Sequence, residues 1–292
     1  MIRFFWPAVP EAEVRAIVGA ALQGGLNWFD TAESYGGGAS ERALAQALEA
    51  LGRAPAETLI ATKWSPFFRW ASSLRRTIDE RLSALHVPRI DLHQVHQPYS
   101  FSSNRALMDA MADLIDRGQV RYAGVSNYSA AGMRQAHEAL AARGYPLASN
   151  QVRFGLLDRR IESNGVLAMA RELGMSIIAY SPLGQGMLTG KYHDDPALID
   201  RKGRIFKWFS GYNQNLERSR PIVAKLKEIA ARHDATAAQV ALSWTVNFHG
   251  DVVVAIVGAS KHRQAQETAA AARLVLSDQE MAELDEVSAA SD

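Results

Sequence analysis

Short β-branched or aromatic runs alternate with amphipathic helical stretches along almost all of this 292-residue chain. That alternation predicts a (β/α)8 TIM barrel. Composition agrees: 48% of the residues are hydrophobic, enough for one large core, and α/β barrels of this length occur as single units. The expectation is one domain, residues 1–292. A third observation concerns Asp30, Tyr35, Lys63 and His96, each at or just past the end of one of three consecutive predicted strands. Helical segments separate those strands, so they should lie parallel. Side chains at their carboxyl ends can then converge on one small volume.

The first candidate strand is Ile2–Phe5, a minimal run with nothing in front of it. A helical pattern covers 11–23. The strand Leu26–Asp30 then runs into FDTAESYG. A helix over 40–51 follows, with Ser40 suited to cap it. Next come the strand Thr58–Lys63 (TLIATK), a helix over 72–85, and the strand Ile90–His96 (IDLHQVH). The helix over 104–117 meets a stop at Gly118. Strand Tyr122–Asn127, helix 130–142, strand Ala148–Val152, helix 164–173 and strand Ser176–Ser181 continue the alternation. From Leu183 to Glu217 periodicity is lost, and QGMLTGKYHDDP and KWFSGYNQN read as a long structureless loop. Loops of that length are usually functional, and in a barrel the loops after strands roof the site. Helices near 219–233 and 236–248 precede an eighth strand, Val252–Gly258, and helices near 262–272 and 278–288 close the chain.

Composition also excludes. Lys and Arg (32) balance Asp and Glu (31) without a basic block, which argues against nucleic acid and anionic membrane as partners. The absence of Cys removes disulfides, Cys-zinc sites, iron–sulfur clusters and thiol nucleophiles. No apolar stretch approaches the roughly 20 residues of a membrane span. The opening MIRFFWPAVPE lacks the long apolar core and cleavage site of a signal peptide, so a soluble cytoplasmic protein is expected.

A Tyr, a Lys, an Asp and a His together form a proton-delivery device. Reducing a carbonyl requires a hydride on carbon and a proton on oxygen. A free phenol has a pKa of about 10, and a neighbouring ammonium favours its ionised form. Lys63 can supply that charge, Asp30 can hold Lys63, and His96 can donate a hydrogen bond to the carbonyl oxygen. Tyr35 is then the general acid in reduction and the base in oxidation. Taken singly, each has an ordinary reading, such as cap, packing residue or solvated lysine; their joint placement does not. His93 and His96 are three apart on a strand and point to opposite faces, so His93 reads as a packing residue and no metal site is expected.

The segments FDTAESYG, ATKW and DLHQVHQP resemble the aldo-keto reductases, whose catalytic Asp, Tyr, Lys and His match Asp30, Tyr35, Lys63 and His96 in order and context. The resemblance continues through GVSNY (124–128), SNQV (149–152), AYSPLGQGMLTGKY (179–192) and VGAS. It implies reversible reduction of aldehydes or ketones with NADP(H), with NAD(H) less favoured, and a cofactor lying extended over the barrel mouth. It places Ser126, Asn127 and Gln151 on the nicotinamide carboxamide and Tyr180 on its ring. Ser181, Leu183, Gly184 and Gly186 would follow the pyrophosphate, where glycines let backbone amides approach. Ser260, Lys261 and Arg263 would meet the ribose and its 2′-phosphate, and Gln264 and Glu267 the adenine. Lys261 and Arg263 read nearly as well as helix-surface cations. Where the family opens with a β-hairpin and a first strand, this chain has only IRFFWP, so the N-terminal hairpin is expected to be missing.

The aromatic group after the third strand supplies a substrate pocket with Trp64 and Phe67, and Trp208 in the long loop is a further candidate. The partner is a small carbonyl compound, with monomer and homo-oligomer both open. Two other functions fit the same residues: a nicotinamide-binding sensor subunit, and an inactive relative shortened at its N-terminus. A cofactor-free isomerase barrel is a third.

Overall fold

The computed structural model describes residues 9–53, 57–200 and 212–289. The expected strand Ile2–Phe5, the hairpin question and Trp208 lie outside them. The described chain forms a seven-stranded sheet whose order is the chain order, β1 to β7. These are β1 (Trp28–Asp30), β2 (Leu59–Trp64), β3 (Ile90–Val95), β4 (Val120–Ser126), β5 (Leu147–Arg153), β6 (Ser176–Tyr180) and β7 (Val253–Ile256). Helices α1 (Glu11–Gln23), α2 (Ala39–Ala50), α3 (Ser72–Leu85), α4 (Asn104–Asp116), α5 (Ala130–Ala141) and α6 (Val166–Glu172) alternate with the first six. The pairings from β1 through β5 are parallel, as helical crossovers require. The fold is that of the (β/α)8 barrel class.

The residues fall into two compact units. One comprises the described part of Met1–Val152 with Asn164–Ile178 and Ala259–Gln266. The other comprises Arg153–Ser163, Ala179–Gly258 and the described part of Glu267–Asp292.

In the first unit, strands read as near-continuous buried runs, because helices cover a parallel sheet. Ile60 to Trp64 are all buried in β2. Leu74, Ile78, Leu107, Met108 and Met133 pack from the helices. Two of the helices, α4 and α5, start at hydroxyl caps: Ser103 Oγ accepts from Ala106 N at 3.3 Å, and Ser129 Oγ from Gly132 N at 3.2 Å. Ser40 does not cap α2; the helix begins at Ala39 behind Gly38, and Ser40 Oγ instead accepts from Thr31 Oγ1 at 2.9 Å. Gly118 follows the end of α4 with φ +70°, the left-handed conformation that stops a helix. One register fixes the layer beneath the strand ends: Lys63 pairs with Gln94, Gln94 with Gly124, and Gly124 with Ser149. Ala123 pairs with Leu147, so β5 carries one extra residue at this level.

The second unit corrects the expectation of a structureless stretch after Leu183. A 3₁₀ turn at Gly184–Thr189 and one-turn helices at Lys191–Asp194 and Ala197–Asp200 occupy its first part. Met187 and Tyr192 are buried there against Leu157, Leu198 and Leu216. The next helix begins at Tyr212 rather than near 219, and runs to Arg232 with Pro221 inside it. Its neighbour, Ala237–Asn247, starts with a capping box between Thr236 and Gln239. Among the described residues no helix is long and apolar enough to cross a membrane.

Candidate active site

Parallel pairing brings Asp30, Tyr35, Lys63 and His96 together in the first unit. Lys63 leaves β2 fully buried. Its Nζ donates to Asp30 Oδ1 in an ion pair and to the Thr31 carbonyl at 2.8 Å. The same ammonium lies 5.1 Å from the centre of the Tyr35 ring. Burial pushes the Lys63 ammonium down from the usual lysine range, and the Asp30 carboxylate pulls it partly back.

His96 stands edge-on to Tyr35, with ring centres 5.6 Å apart and planes at 76°. Its Nδ1 lies 3.3 Å from Ser34 Oγ. Burial, then the Lys63 charge, hold its pKa down at about 4, so the ring is neutral at neutral pH. A Ser34 hydroxyl that donates to Nδ1 would leave the ring proton on Nε2, where a ligand can meet it.

The Asp30 carboxylate is held from two further sides. Its Oδ2 accepts from Gln151 Nε2 at 3.0 Å and from Gln94 Nε2 at 3.2 Å. Sequence reasoning places Gln151 on the cofactor and passes over Gln94. The signal that could have found it is a glutamine in the middle of the buried run IDLHQVH. Sequence reasoning also misses Glu33, two residues before Tyr35. Its Oε1 accepts from Ser65 N at 2.6 Å and pairs with Arg69, which ties the loop after β1 to the loop after β2.

Ser126, Asn127 and Gln151 meet at the ends of β4 and β5. Ser126 Oγ donates to the Gln151 carbonyl at 2.8 Å, and Asn127 Nδ2 donates to Ser126 Oγ at 3.0 Å. Asn127 has φ +62°, a conformation Asn tolerates better than most residues, and one that recurs at functional sites. Ser260 and Gln264 also adjoin: Gln264 Oε1 accepts from Ser260 N at 2.7 Å and Lys261 N at 3.1 Å, so its carbonyl end caps the helix His262–Ala271. Lys261 and Arg263 are exposed.

In the second unit Tyr180 ends β6, half-buried, with the Arg153 guanidinium 5.8 Å from its ring. Ser181 has φ +54°, and Gly184, Gln185 and Gly186 are all left-handed. The Gly184 and Gly186 amides donate to the Ser181 and Leu183 carbonyls at 2.9 and 3.0 Å. They close this turn. Leu183 is half-buried in the same turn, and the Glu267 carbonyl accepts from Gln239 Nε2 at 3.4 Å.

Trp64 is corrected out of the pocket. It is buried, its Nε1 donates to Ser73 Oγ at 3.1 Å, and the Arg69 guanidinium covers its ring at 5.0 Å. On the loops after β2 and β3 the aromatics Phe67, Phe68, Trp70, Tyr99 and Phe101 are exposed. His93 is buried as expected, and burial pushes it down to about 4.

A parallel strand–helix fold with this strand-end Asp, Tyr, Lys and His defines a class of barrel oxidoreductase. The chain belongs to the aldo/keto reductase family, whose model matches residues 1–289. It is 42% identical over 269 residues to an uncharacterized oxidoreductase of Mycobacterium tuberculosis, covering 91% of this chain and 78% of that one. Among solved structures it resembles the glycerol dehydrogenase of Gluconobacter oxydans, with a TM-score of 0.81 and 26% identity over 98% of this chain and 88% of the other. It also resembles an aldo/keto reductase of Klebsiella pneumoniae in complex with NADP and acetate, with a TM-score of 0.78 and 25% identity over 97% and 88%.

Proposed function

We propose that this protein reduces aldehydes or ketones to alcohols with NADPH, reversibly, with Tyr35 as proton donor. One observation carries the reading: a fully buried ammonium, Lys63, pairs with the Asp30 carboxylate and lies 5.1 Å from the centre of the Tyr35 ring. In a low-dielectric site, that placement lowers the energy of the phenolate left after Tyr35 gives up its proton. Asp30 fixes the ammonium. His96, neutral and carrying its proton on Nε2, donates to the carbonyl oxygen and orients it.

The residues fit the cofactor. A primary carboxamide offers one acceptor and two donors, and Ser126, Asn127 and Gln151, linked to one another by hydrogen bonds and to Asp30 through Gln151, bring hydroxyl and amide groups of both kinds together beside the tetrad. When bound, NADPH supplies the hydride. Tyr180, Ser181, Leu183, Gly184 and Gly186 are assigned to cofactor binding by their place in the family motif, as are Ser260, Lys261, Arg263, Gln264 and Glu267. Two cations beside Ser260 suit the 2′-phosphate of NADPH. Phe67 and its exposed aromatic neighbours suit a carbonyl compound with an apolar flank. The family match over residues 1–289 supports a single domain.

The test has two parts. NADPH binding is read from quenching of the six Trp residues, and turnover from loss of NADPH absorbance over a panel of aldehydes and ketones. Binding with turnover supports the reading. Binding without turnover on any carbonyl points to a sensor instead.

A further inference from the structure

We infer that Gln94 is a positioning residue for the Asp30–Lys63 pair, and that Gly124 leaves it the space to be one. The inference rests on the reductase reading of that pair and names a part of the machinery which the tetrad does not include.

Three donors converge on Asp30. Lys63 takes Oδ1, while Gln94 Nε2 and Gln151 Nε2 share Oδ2. A carboxylate held at both oxygens cannot turn about its own bond, so the ammonium it carries stays where it faces the Tyr35 ring. The two amides also draw negative charge toward Oδ2. That weakens the hold of Asp30 on Lys63 and leaves more of the ammonium's field for the phenol.

Gln94 is the penultimate residue of β3 and is fully buried. Its carbonyl Oε1 is buried and meets no donor among the described residues. A leucine or methionine would fill the same volume without that penalty, so packing alone does not explain a glutamine here. The neighbouring strands are fitted to it. Gln94 pairs with Lys63 on one side and Gly124 on the other. A Cβ on Gly124 would stand 3.1 Å from Gln94 Cγ, 3.2 Å from Leu92 Cδ1 and 2.5 Å from Ser149 Oγ. A side chain at 124 would first force Ser149 Oγ aside and would also crowd the glutamine that reaches Asp30. The backbone of Gly124 has no left-handed angle, so the residue is required by the close approach and not by a turn.

The experiment uses the full chain. Gln94→Met keeps the volume and removes the donor. Carbonyl reduction should slow about tenfold in kcat, a loss of roughly one charge-assisted hydrogen bond. NADPH affinity should stay within about twofold. The Lys63 titration, followed by carbon NMR of labelled lysine and assigned by its absence in Lys63→Met, should move to higher pH as Asp30 tightens its hold. If Gln94→Met does not fold, Gln94→Glu serves. Its protonated form restores a donor to Asp30, so activity should recover as pH falls, which a purely structural role would not produce. An unchanged kcat and Lys63 titration in Gln94→Met overturns the inference. So does a loss of kcat with the Lys63 titration unmoved. If the wild type reduces no carbonyl, the reductase reading fails, and the Lys63 titration alone decides the role of Gln94.

Discussion

Lys63→Met is the perturbation with the most to say about this site. With the phenolate charge taken as spread over the Tyr35 ring, whose centre lies 5.1 Å from the ammonium, the two charges interact by about 3 kcal/mol at an effective dielectric near 20. Removing that interaction from the transition state should lower kcat by about two orders of magnitude. The same change leaves the nearly buried Asp30 without its cation, which in comparable sites destabilises the fold by about 3–5 kcal/mol. Asp30→Asn added to Lys63→Met removes the stranded charge, so the double variant should regain much of the lost stability and none of the lost turnover. Chemical denaturation measures the first and NADPH consumption the second. A Lys63→Met protein within about fivefold of wild-type kcat, or a double variant no more stable than the single, refutes the reasoning.

Replacing both exposed cations that follow β7, Lys261→Ala with Arg263→Ala, should raise KM for NADPH by about tenfold and leave KM for NADH nearly unchanged, since exposed contacts to the 2′-phosphate are each weak; equal effects on both cofactors would remove these residues from phosphate recognition. Stability should fall between pH 7 and pH 5. His93 is fully buried with its pKa held at about 4, against about 6.5 unfolded, so in that window the unfolded chain binds the extra proton; this stabilisation is complete above pH 6.5 and is lost as pH falls toward 4. His93 alone accounts for about 2 kcal/mol of the loss, read by denaturation at the two pH values. His96 shifts the same way, so the kcat profile should show no histidine step near 6.5.

Much of this is legible in the sequence because barrel strands and helices carry clear signals. Helix 72–85 stands where periodicity puts it, and β2 and β3 end within one residue of where the β-branched runs put them. The tetrad is legible because the chain places its members at consecutive strand ends. Other features depend on partners far along the chain. The Asp30 clamp by Gln94 and Gln151 joins residues 64 and 121 positions away, and no local pattern announces it. Trp64 reads as a pocket wall, yet β2 is buried on both faces, which makes an aromatic at its end as much a core residue as a lining one. The helix Tyr212–Arg232 reads as starting late because Pro221 normally marks a first turn, whereas here it lies inside. The one-turn helices after Leu183 are too short to show a period.

The central claim is that the Tyr35 phenol gives its proton to the carbonyl oxygen under the influence of Lys63. Tyr35→Phe removes that oxygen and little else. Binding of NADPH, followed by Trp quenching, should match the wild type within about twofold, while reduction of the best aldehyde falls on the order of a thousandfold. A Tyr35→Phe protein that turns over at wild-type rates would show that the proton comes from elsewhere.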